Sequence, residues 1–203
     1  MRNVLNEGVL KTKVTFENKV TFFIRGKILK IYEIEDSYIN YLKTFDKFVL
    51  NSYGENYKRS RKYLGTIFEV NGYSYFIPFS SPDLKDDFVD GKIRKSTDVI
   101  IRMKKIDKFG KEKLLGTLRI NSMIPILDFK VLKEYNFENE KDYRYKDLVL
   151  DELRFININK EKIIKTAKKI YRLKTNNKKI SYLKSTVDFS LLEDKVKDYK
   201  TNI

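Results

Sequence analysis

The Asn71-Gly72 pair, set between two strand-like runs, is the feature that most constrains how this chain can fold. Residues 62–70 and 73–79 on either side are rich in β-branched and aromatic side chains, which favour strands. Asn-Gly is the dipeptide best suited to a two-residue hairpin turn, because both central positions of that turn need a positive φ. The pair therefore predicts a β-hairpin and an antiparallel sheet around it.

Other segments indicate what surrounds this hairpin. Strand-like composition predicts further strands at residues 14–16, 20–24, 30–34, 99–103, 114–120 and 124–131. Helical spacing of apolar residues predicts a helix capped by Asp36 or Ser37 and others at residues 143–157, 161–173 and 189–199. The sequence thus predicts an α+β domain, a twisted antiparallel sheet or small barrel with flanking helices and a helical C-terminal third.

The positive charge of the chain indicates the kind of partner it binds. The 203 residues include 43 Lys+Arg against 28 Asp+Glu, a net charge of +15, and this excess favours a polyanion. The 14 Tyr and 14 Phe favour nucleic acid in particular, since aromatic rings stack on unpaired bases. An AT-rich coding sequence, which raises the content of Lys, Asn, Ile and Tyr, is the alternative explanation.

Two missing residue types exclude several kinds of chemistry. With no Cys and no His, the chain has no disulfide, no thiolate nucleophile and none of the usual zinc ligands, so we expect no metal and no cofactor. Any cleavage must rely on hydroxyls, lysine and arginine. The sequence has no run of 18 apolar residues and no signal-peptide pattern, so we expect a cytoplasmic protein without a membrane partner.

The end of the predicted strand at residues 73–79 is the best candidate for a reactive centre. Two adjacent hydroxyls, Ser80 and Ser81, follow the strand, and Pro82 and Lys85 come next. A strand end fixes side chains while a loop exposes them, so this junction suits a catalytic role. An ordinary turn is the alternative, since Ser and Pro are common turn residues.

Several segments together resemble the ToxN/AbiQ family, the RNase toxins of type III toxin–antitoxin systems. They occur in the order of the family and span most of the chain; the matching residues are 30–34, 37–43, 63–72, 77–82, 115–126, 153–156 and 189–199. The resemblance implies a compact twisted antiparallel β-barrel like that of the MazF/Kid toxins, with a long helical segment beside it. It assigns residues 29–203 to this endoribonuclease domain.

The resemblance also implies a function. Toxins of this family are metal-independent, sequence-specific endoribonucleases that cleave single-stranded RNA to 2′,3′-cyclic phosphate and 5′-hydroxyl ends. A repeated RNA pseudoknot, the antitoxin, inhibits them in closed protein–RNA assemblies, often of three proteins with three RNAs. Their role is phage defence by growth arrest, or abortive infection, and their substrate is mRNA.

The family pattern carries over to particular positions of this chain. It implies a catalytic set of Ser80, Ser81, Lys85, Tyr38 and Arg61. We assign RNA contacts to Tyr57, Lys58, Arg59, Lys62, Asn121, Lys168, Lys169 and Arg172. A serine hydroxyl alone is a poor base, so proton transfer needs a partner such as lysine, while arginine suits stabilisation of the phosphorane. For the basic run at residues 160–179, a solvated helix face is the alternative to an antitoxin contact.

Asp83 departs from the family pattern, because lysine usually follows this Pro, and Asp86 stands where histidine is frequent. Acidic groups near a scissile phosphate repel it. Three outcomes follow from the sequence: Lys85 takes over, the loop turns Asp83 away, or the enzyme is weakened.

Two other functions stay open. One is an RNA-binding protein of the same fold that has lost much of its catalysis, for which Asp83 is the main argument. The other is a poison of a protein target such as gyrase, against which the charge of +15 argues.

Residues 1–28 precede the part of the chain that resembles the family. We expect them to be an N-terminal extension that is dispensable for the fold, or to result from a start assigned upstream of Leu29.

Overall fold

The computed structural model describes residues 29–53 and 60–200. Its strands are β1 (Lys30–Ile34), β2 (Lys62–Gly65), β3 (Glu69–Val70), β4 (Tyr73–Ser80), β5 (Phe88–Val89), β6 (Lys92–Ile93), β7 (Ile100–Ile106), β8 (Glu112–Arg119), β9 (Ile124–Ile126) and β10 (Leu132–Glu134). Its helices are α1 (Asp36–Phe45), α2 (Leu84–Asp87), α3 (Tyr143–Ile158), α4 (Lys160–Thr175) and α5 (Phe189–Lys195), with 3-10 turns at Ile120–Ser122, Phe129–Val131 and Ser181–Ser185. The strands predicted at residues 14–24 lie outside the described part.

The predicted hairpin turn is present and leads into the central strand. Asn71 and Gly72 have φ values of 52° and 85°, as this turn requires. The following strand, β4, pairs with β2 and β3 along one edge and with β8 and β9 along the other. The single strand predicted at residues 62–70 is divided instead, and β2 ends at Gly65, where a Cβ would lie 2.0 Å from the Phe76 ring.

The sheet is open, so the predicted closed barrel was wrong. The strand order is β10-β1-β2-β4-β8-β7, and within the described ranges the end strands β10 and β7 do not pair with each other. Closure would require these two strands to hydrogen-bond along a shared register. Strand β10 has only three residues, with Lys133 and Glu134 exposed, and β7 is bulged after Met103. Short, charged or bulged strands are typical of sheet edges that stay unpaired.

The helices bury one part of β4 and leave its end at the rim of the domain. Tyr75, in the middle of the strand, is fully buried and stacks on Phe68 at 4.8 Å. Its hydroxyl donates to Glu193 of α5 at 2.7 Å, which fixes the C-terminal helices on the sheet. Toward Ser80 the strand becomes accessible, and Ser81 beyond it is exposed.

Helix α1 begins at Asp36, yet its N-cap is Glu35, which makes no side-chain capping bond, so neither Asp36 nor Ser37 caps it as predicted. In the parts of the chain that the structure describes, no helix has the length and apolar character to cross a bilayer.

Candidate active site

The two serines lie where β4 leaves the sheet. Ser80, the last residue of β4, is half-buried and pairs with Thr117 of β8. The Thr117 hydroxyl donates to the Ser80 carbonyl at 3.5 Å. Ser81 follows outside the strand and is exposed. The sheet therefore fixes the backbone of one serine at its rim and presents the hydroxyl of the next to solvent.

Arg61 is the basic side chain that the structure brings to these serines. Its Nη1 donates to the Phe79 carbonyl at 2.5 Å, and its Nε donates to the Asn51 carbonyl at 2.7 Å. Phe79 immediately precedes Ser80, so the guanidinium is held one residue from the serine pair. Since arginine keeps its charge, this group suits stabilisation of a phosphate rather than proton transfer.

Asp83 caps the short helix that follows the serines. Its Oδ1 accepts the backbone N–H groups of Lys85 and Asp86, each at 2.8 Å. This is the hydrogen-bonding pattern of an N-cap aspartate. Of the three outcomes that the sequence leaves open, this geometry corresponds to a loop that turns the Asp83 carboxylate toward its own helix.

Lys85 lies in α2 with its side chain exposed. Its backbone amide is used by the cap, while its ammonium makes no hydrogen bond or ion pair to any residue that the structure describes. Lys85 is therefore a cation four residues from Ser81 that is available to a ligand.

Tyr38, predicted to be catalytic, is a core residue. It is 2% exposed, and its hydroxyl donates to the Pro125 carbonyl at 2.7 Å. Burial raises the pKa of Tyr38, so its hydroxyl stays neutral. Pro125 pairs with Tyr75, which lies five residues before Ser80 along β4. The structure therefore does not bring Tyr38 to the serines.

Lys62, predicted to contact RNA, has its partners inside the protein. It is 6% exposed, its ammonium pairs with Glu33, and it lies 5.0 Å from the centre of the Tyr135 ring. A lysine neutralised by a carboxylate and covered by a ring presents little charge to a ligand. The structure therefore places Lys62 in an internal ion pair, away from free solvent.

Asn121 is also held by contacts within the protein. It is 8% exposed, and its amide donates to the Ser185 carbonyl at 3.0 Å. The contact joins the 3-10 turn after β8 to the C-terminal segment, so Asn121 fixes the position of that segment.

The predicted RNA contacts on α4 form a separate basic face. Lys169 pairs with Asp98 at 2.6 Å, which raises its pKa, whereas burial and the neighbouring Arg172 lower the pKa of Lys168. Helix α4 packs on α3, α5 and the 3-10 turn at Ile120–Ser122. The ion pair with Asp98 places Lys169 beside the segment that precedes β7. The remaining predicted contacts, Tyr57, Lys58 and Arg59, lie outside the described residues.

A groove at the C-terminal end of α4 continues this basic surface. It has a volume of about 850 Å³, and its lining includes Lys174, Lys178, Lys179 and Lys184. Several ammonium groups around one concave surface attract polyanions.

The sequence profile described as "Toxin ToxN, type III toxin-antitoxin system" matches residues 30–197 of the chain. The chain belongs to this ToxN family. Endoribonuclease ToxN of Pectobacterium atrosepticum is 30% identical over 172 residues, which cover 84% of this chain and 94% of that protein. Endoribonuclease AbiQ of Lactococcus lactis subsp. lactis is 28% identical over 172 residues, which cover 84% of this chain and 89% of AbiQ.

Solved structures of related toxins have the same fold. AbiQ, a lactococcal anti-phage endoribonuclease of the type III toxin–antitoxin system, aligns with a TM-score of 0.70 and 26% identity over 85% of this chain and 98% of AbiQ. A protein from a bacterial antiviral system regulated by a processed non-coding RNA aligns with a TM-score of 0.72 and 28% identity, covering 85% and 99% of the two chains.

Within this ToxN fold, Arg119 is a candidate that the sequence did not single out. It lies in β8 two residues after Thr117, and strand alternation puts its side chain on the same face of the sheet as Thr117 and its partner Ser80. Arg119 is half-buried, and its Nε has no hydrogen-bond partner in the described part of the chain. This Nε is buried, so a contact of Arg119 with an anion uses the part of the side chain that remains accessible. A single arginine in a strand-like run gave no signal in the sequence.

Glu152 of α3 is a second residue that the sequence did not indicate. Its Oε1 lies 2.6 Å, and the Ser80 carbonyl oxygen 3.1 Å, from the point where a Cβ on Gly116 would be. The absence of a side chain at Gly116 thus lets a carboxyl group approach the end of β4. Burial raises the pKa of Glu152 to about 8. At neutral pH the group is mainly protonated and adds little negative charge near the serines.

Proposed function

We propose that this chain is the endoribonuclease toxin of a type III toxin–antitoxin system. It cleaves single-stranded mRNA in a sequence-specific manner and without a metal, leaving 2′,3′-cyclic phosphate and 5′-hydroxyl ends. The observation that carries the proposal is the Ser80–Ser81 strand end, with the Arg61 guanidinium held one residue away, in a chain of the ToxN family.

Three chemical tasks are divided among the residues at this strand end. The hydroxyls of Ser80 and Ser81 hold the 2′-hydroxyl and the phosphate oxygens. The 2′-hydroxyl loses its proton to solvent water, which reaches the exposed Ser81, as its oxygen bonds to phosphorus and the bond from phosphorus to the 5′-oxygen breaks. Arg61 and Arg119 stabilise the negative charge of the pentacovalent phosphate. The ammonium of Lys85 gives a proton to the departing 5′-oxygen. General acid–base catalysis contributes about 10²–10⁴-fold, and fixed charge contributes a similar factor.

The partner that silences the enzyme is a structured RNA. A related toxin is selectively inhibited by a non-coding RNA pseudoknot, and it aligns with this chain at a TM-score of 0.69 and 28% identity. The antitoxin contacts the basic face of α4, with Lys168, Lys169 and Arg172, and the lysine-lined groove beyond it. Toxin and antitoxin form a closed assembly of three proteins with three RNAs in the cytoplasm, and release of the toxin arrests growth during phage infection.

A second candidate function is RNA binding with weakened catalysis. The observation that favours it is Asp83, an acidic residue at the position where the family usually has lysine. Both functions predict RNA binding, and they differ in whether the RNA is cut.

The test is to incubate the purified protein with adenine-rich single-stranded RNA in EDTA and to analyse the product ends. We expect 2′,3′-cyclic phosphate ends, which resist periodate oxidation, and 5′-hydroxyl ends, which a kinase labels directly. RNA that is bound and left intact would favour the binding function. Products with 3′-hydroxyl ends, or cleavage that requires a divalent metal, would contradict transesterification.

A further inference from the structure

A buried ion pair lies behind the loop that carries the serines. Asp87, the last residue of α2, is 1% exposed, and Arg102 of β7 is 5% exposed. Arg102 Nε and Nη2 both reach Asp87 Oδ1, at 3.0 and 2.9 Å. Taking two charges out of water is costly unless their hydrogen bonds are well satisfied, so the other contacts of this pair are informative.

Those contacts hold the backbone on both sides of Lys85. The second oxygen of Asp87, Oδ2, accepts the N–H of Asp83 at 3.0 Å. Arg102 Nη2 donates to the Asp86 carbonyl at 2.9 Å, and Nη1 donates to the Lys95 carbonyl at 2.8 Å. The pair thus fixes the start and the end of α2 and the segment that follows it.

The same arginine is connected to Ser80 through the sheet. Arg102 pairs with Thr117 in the β7–β8 ladder, and Thr117 pairs with Ser80 in the β4–β8 ladder. The three residues form one row across the sheet. Segment 81–87 leaves this row at Ser80 and is bound back to it at Arg102, so both of its ends are attached to the same row.

Helix α2 needs this attachment because it has little stability of its own. It has four residues, Leu84 and Lys85 are exposed, and a single helical turn is unstable in water. Without the ion pair, the turn would keep the Asp83 cap and two backbone hydrogen bonds of Asp87, from its N–H to the Asp83 carbonyl and from the Arg94 N–H to its own carbonyl.

We propose that Asp87 and Arg102 are positioning residues for RNA cleavage, which hold Lys85 at a fixed place relative to Ser80 and Ser81. The proposal rests on the proposed function, since it assigns the two residues to that same site. Both side chains are buried and do not touch the RNA. Their loss is therefore expected to slow the cleavage step and to leave RNA affinity nearly unchanged.

The experiment combines hydrogen exchange with single-turnover cleavage on full-length protein. Three variants weaken the pair to different extents: Arg102→Met, Asp87→Asn and the conservative Arg102→Lys. The matched control is Ile163→Ala, which opens a fully buried site in α4 away from the serines. All proteins are compared at one temperature well below their midpoints of unfolding. Because Ile163→Ala is also less stable than the wild type, effects that come only from a general loss of stability will appear in this control as well.

We expect the backbone amides of Lys85 and Asp86 to exchange faster in the ion-pair variants than in the wild type, with the smallest increase in Arg102→Lys. In Ile163→Ala we expect these two amides to exchange at the wild-type rate. We expect the cleavage rate constant to fall about tenfold or more with Kd for RNA changed less than about threefold. Unchanged exchange at these amides would overturn the positioning role. Faster exchange with wild-type cleavage would overturn its importance for the reaction. Failure of the wild type to cleave RNA would instead refute the proposed function, while the exchange data would still show whether the pair orders α2.

Discussion

Asp83 and Lys85 form a capping hydrogen bond, in which the carboxylate accepts the Lys85 amide at 2.8 Å. The residue that breaks the family pattern thus orders the turn that carries the remaining lysine. An acidic residue at this position repels phosphate. The partial positive charges of the two backbone N–H groups that Asp83 accepts offset part of its negative charge. Asp83 therefore replaces the lysine that the family usually has at this position, and its carboxylate orders the turn that carries Lys85.

Replacing the cap separates its charge from its hydrogen bond. Asp83→Asn keeps an accepting oxygen without the charge, so we expect RNA cleavage within about threefold of the wild type. Asp83→Ala removes the cap, which costs about 1 kcal/mol locally, and we expect slower cleavage. Single-turnover rates of the two variants decide the point. A rise of tenfold or more in Asp83→Asn would mean that the carboxylate opposes the substrate directly.

Glu152 makes stability depend on pH in an unusual direction. Its pKa is raised from 4.5 to about 8 in the folded protein, so between these values the folded chain holds a proton that the unfolded chain has lost. This group's contribution to stability therefore falls as pH rises through that window, by up to about 1.4 kcal/mol per pH unit, and is constant above it.

Urea unfolding of Glu152→Gln at pH 5 and pH 8.5 measures this contribution. We expect the variant to gain stability relative to the wild type at pH 8.5 and little at pH 5. Glu138→Gln, an exposed substitution on the same chain, is the control and should show no such difference. An equal effect of Glu152→Gln at both pH values would contradict the account.

Arg119 and Lys62 provide a matched pair of basic residues, one with an unused donor and one with a partner inside the protein. We expect Arg119→Met to weaken RNA binding and to reduce the slope of log K against log salt by about 0.7, the value for one phosphate on single-stranded RNA. Lys62→Met should lower the midpoint of thermal unfolding and leave that slope unchanged. A lower salt slope in Lys62→Met together with an unchanged slope in Arg119→Met would refute our placement of the RNA.

Residues 1–28 are expected to be dispensable. The family match begins at residue 30, and β1 pairs with β2 from Lys30 onward and with β10 from Tyr32 onward. A chain that starts with Met followed by Leu29 should keep its midpoint of unfolding within about 2 °C. Loss of RNA cleavage by this shortened chain, measured beside the full one, would assign residues 1–28 to the functional protein.

Features set by neighbouring residues could be predicted from the sequence, and those set by distant contacts could not. The Asn71-Gly72 turn follows from the backbone preferences of two residues. Sheet closure depends on whether β10 and β7 meet, which no local pattern encodes. The burial of Tyr38 against Pro125 was likewise decided by tertiary packing.

The candidate site follows the same division. Ser80 and Ser81 were predicted from a strand end, which is a local signal. Arg102 was not predicted, because its role depends on the Asp87 carboxylate from another element. Lys62 was predicted to contact RNA because it is a basic residue close to other basic residues. Its ion pair with Glu33 joins β1 and β2, which are distant in the sequence, so no local pattern could predict it.

The central claim is that the hydroxyls of Ser80 and Ser81 at the end of β4 hold the reacting groups of the RNA in place for cleavage. The measurement that tests it most directly is the single-turnover cleavage rate of the double variant Ser80→Ala, Ser81→Ala on single-stranded RNA, with Kd for the same RNA measured alongside. We predict a fall in rate of about 10²-fold or more with Kd within about threefold. Cleavage at the wild-type rate in this double variant would contradict the account.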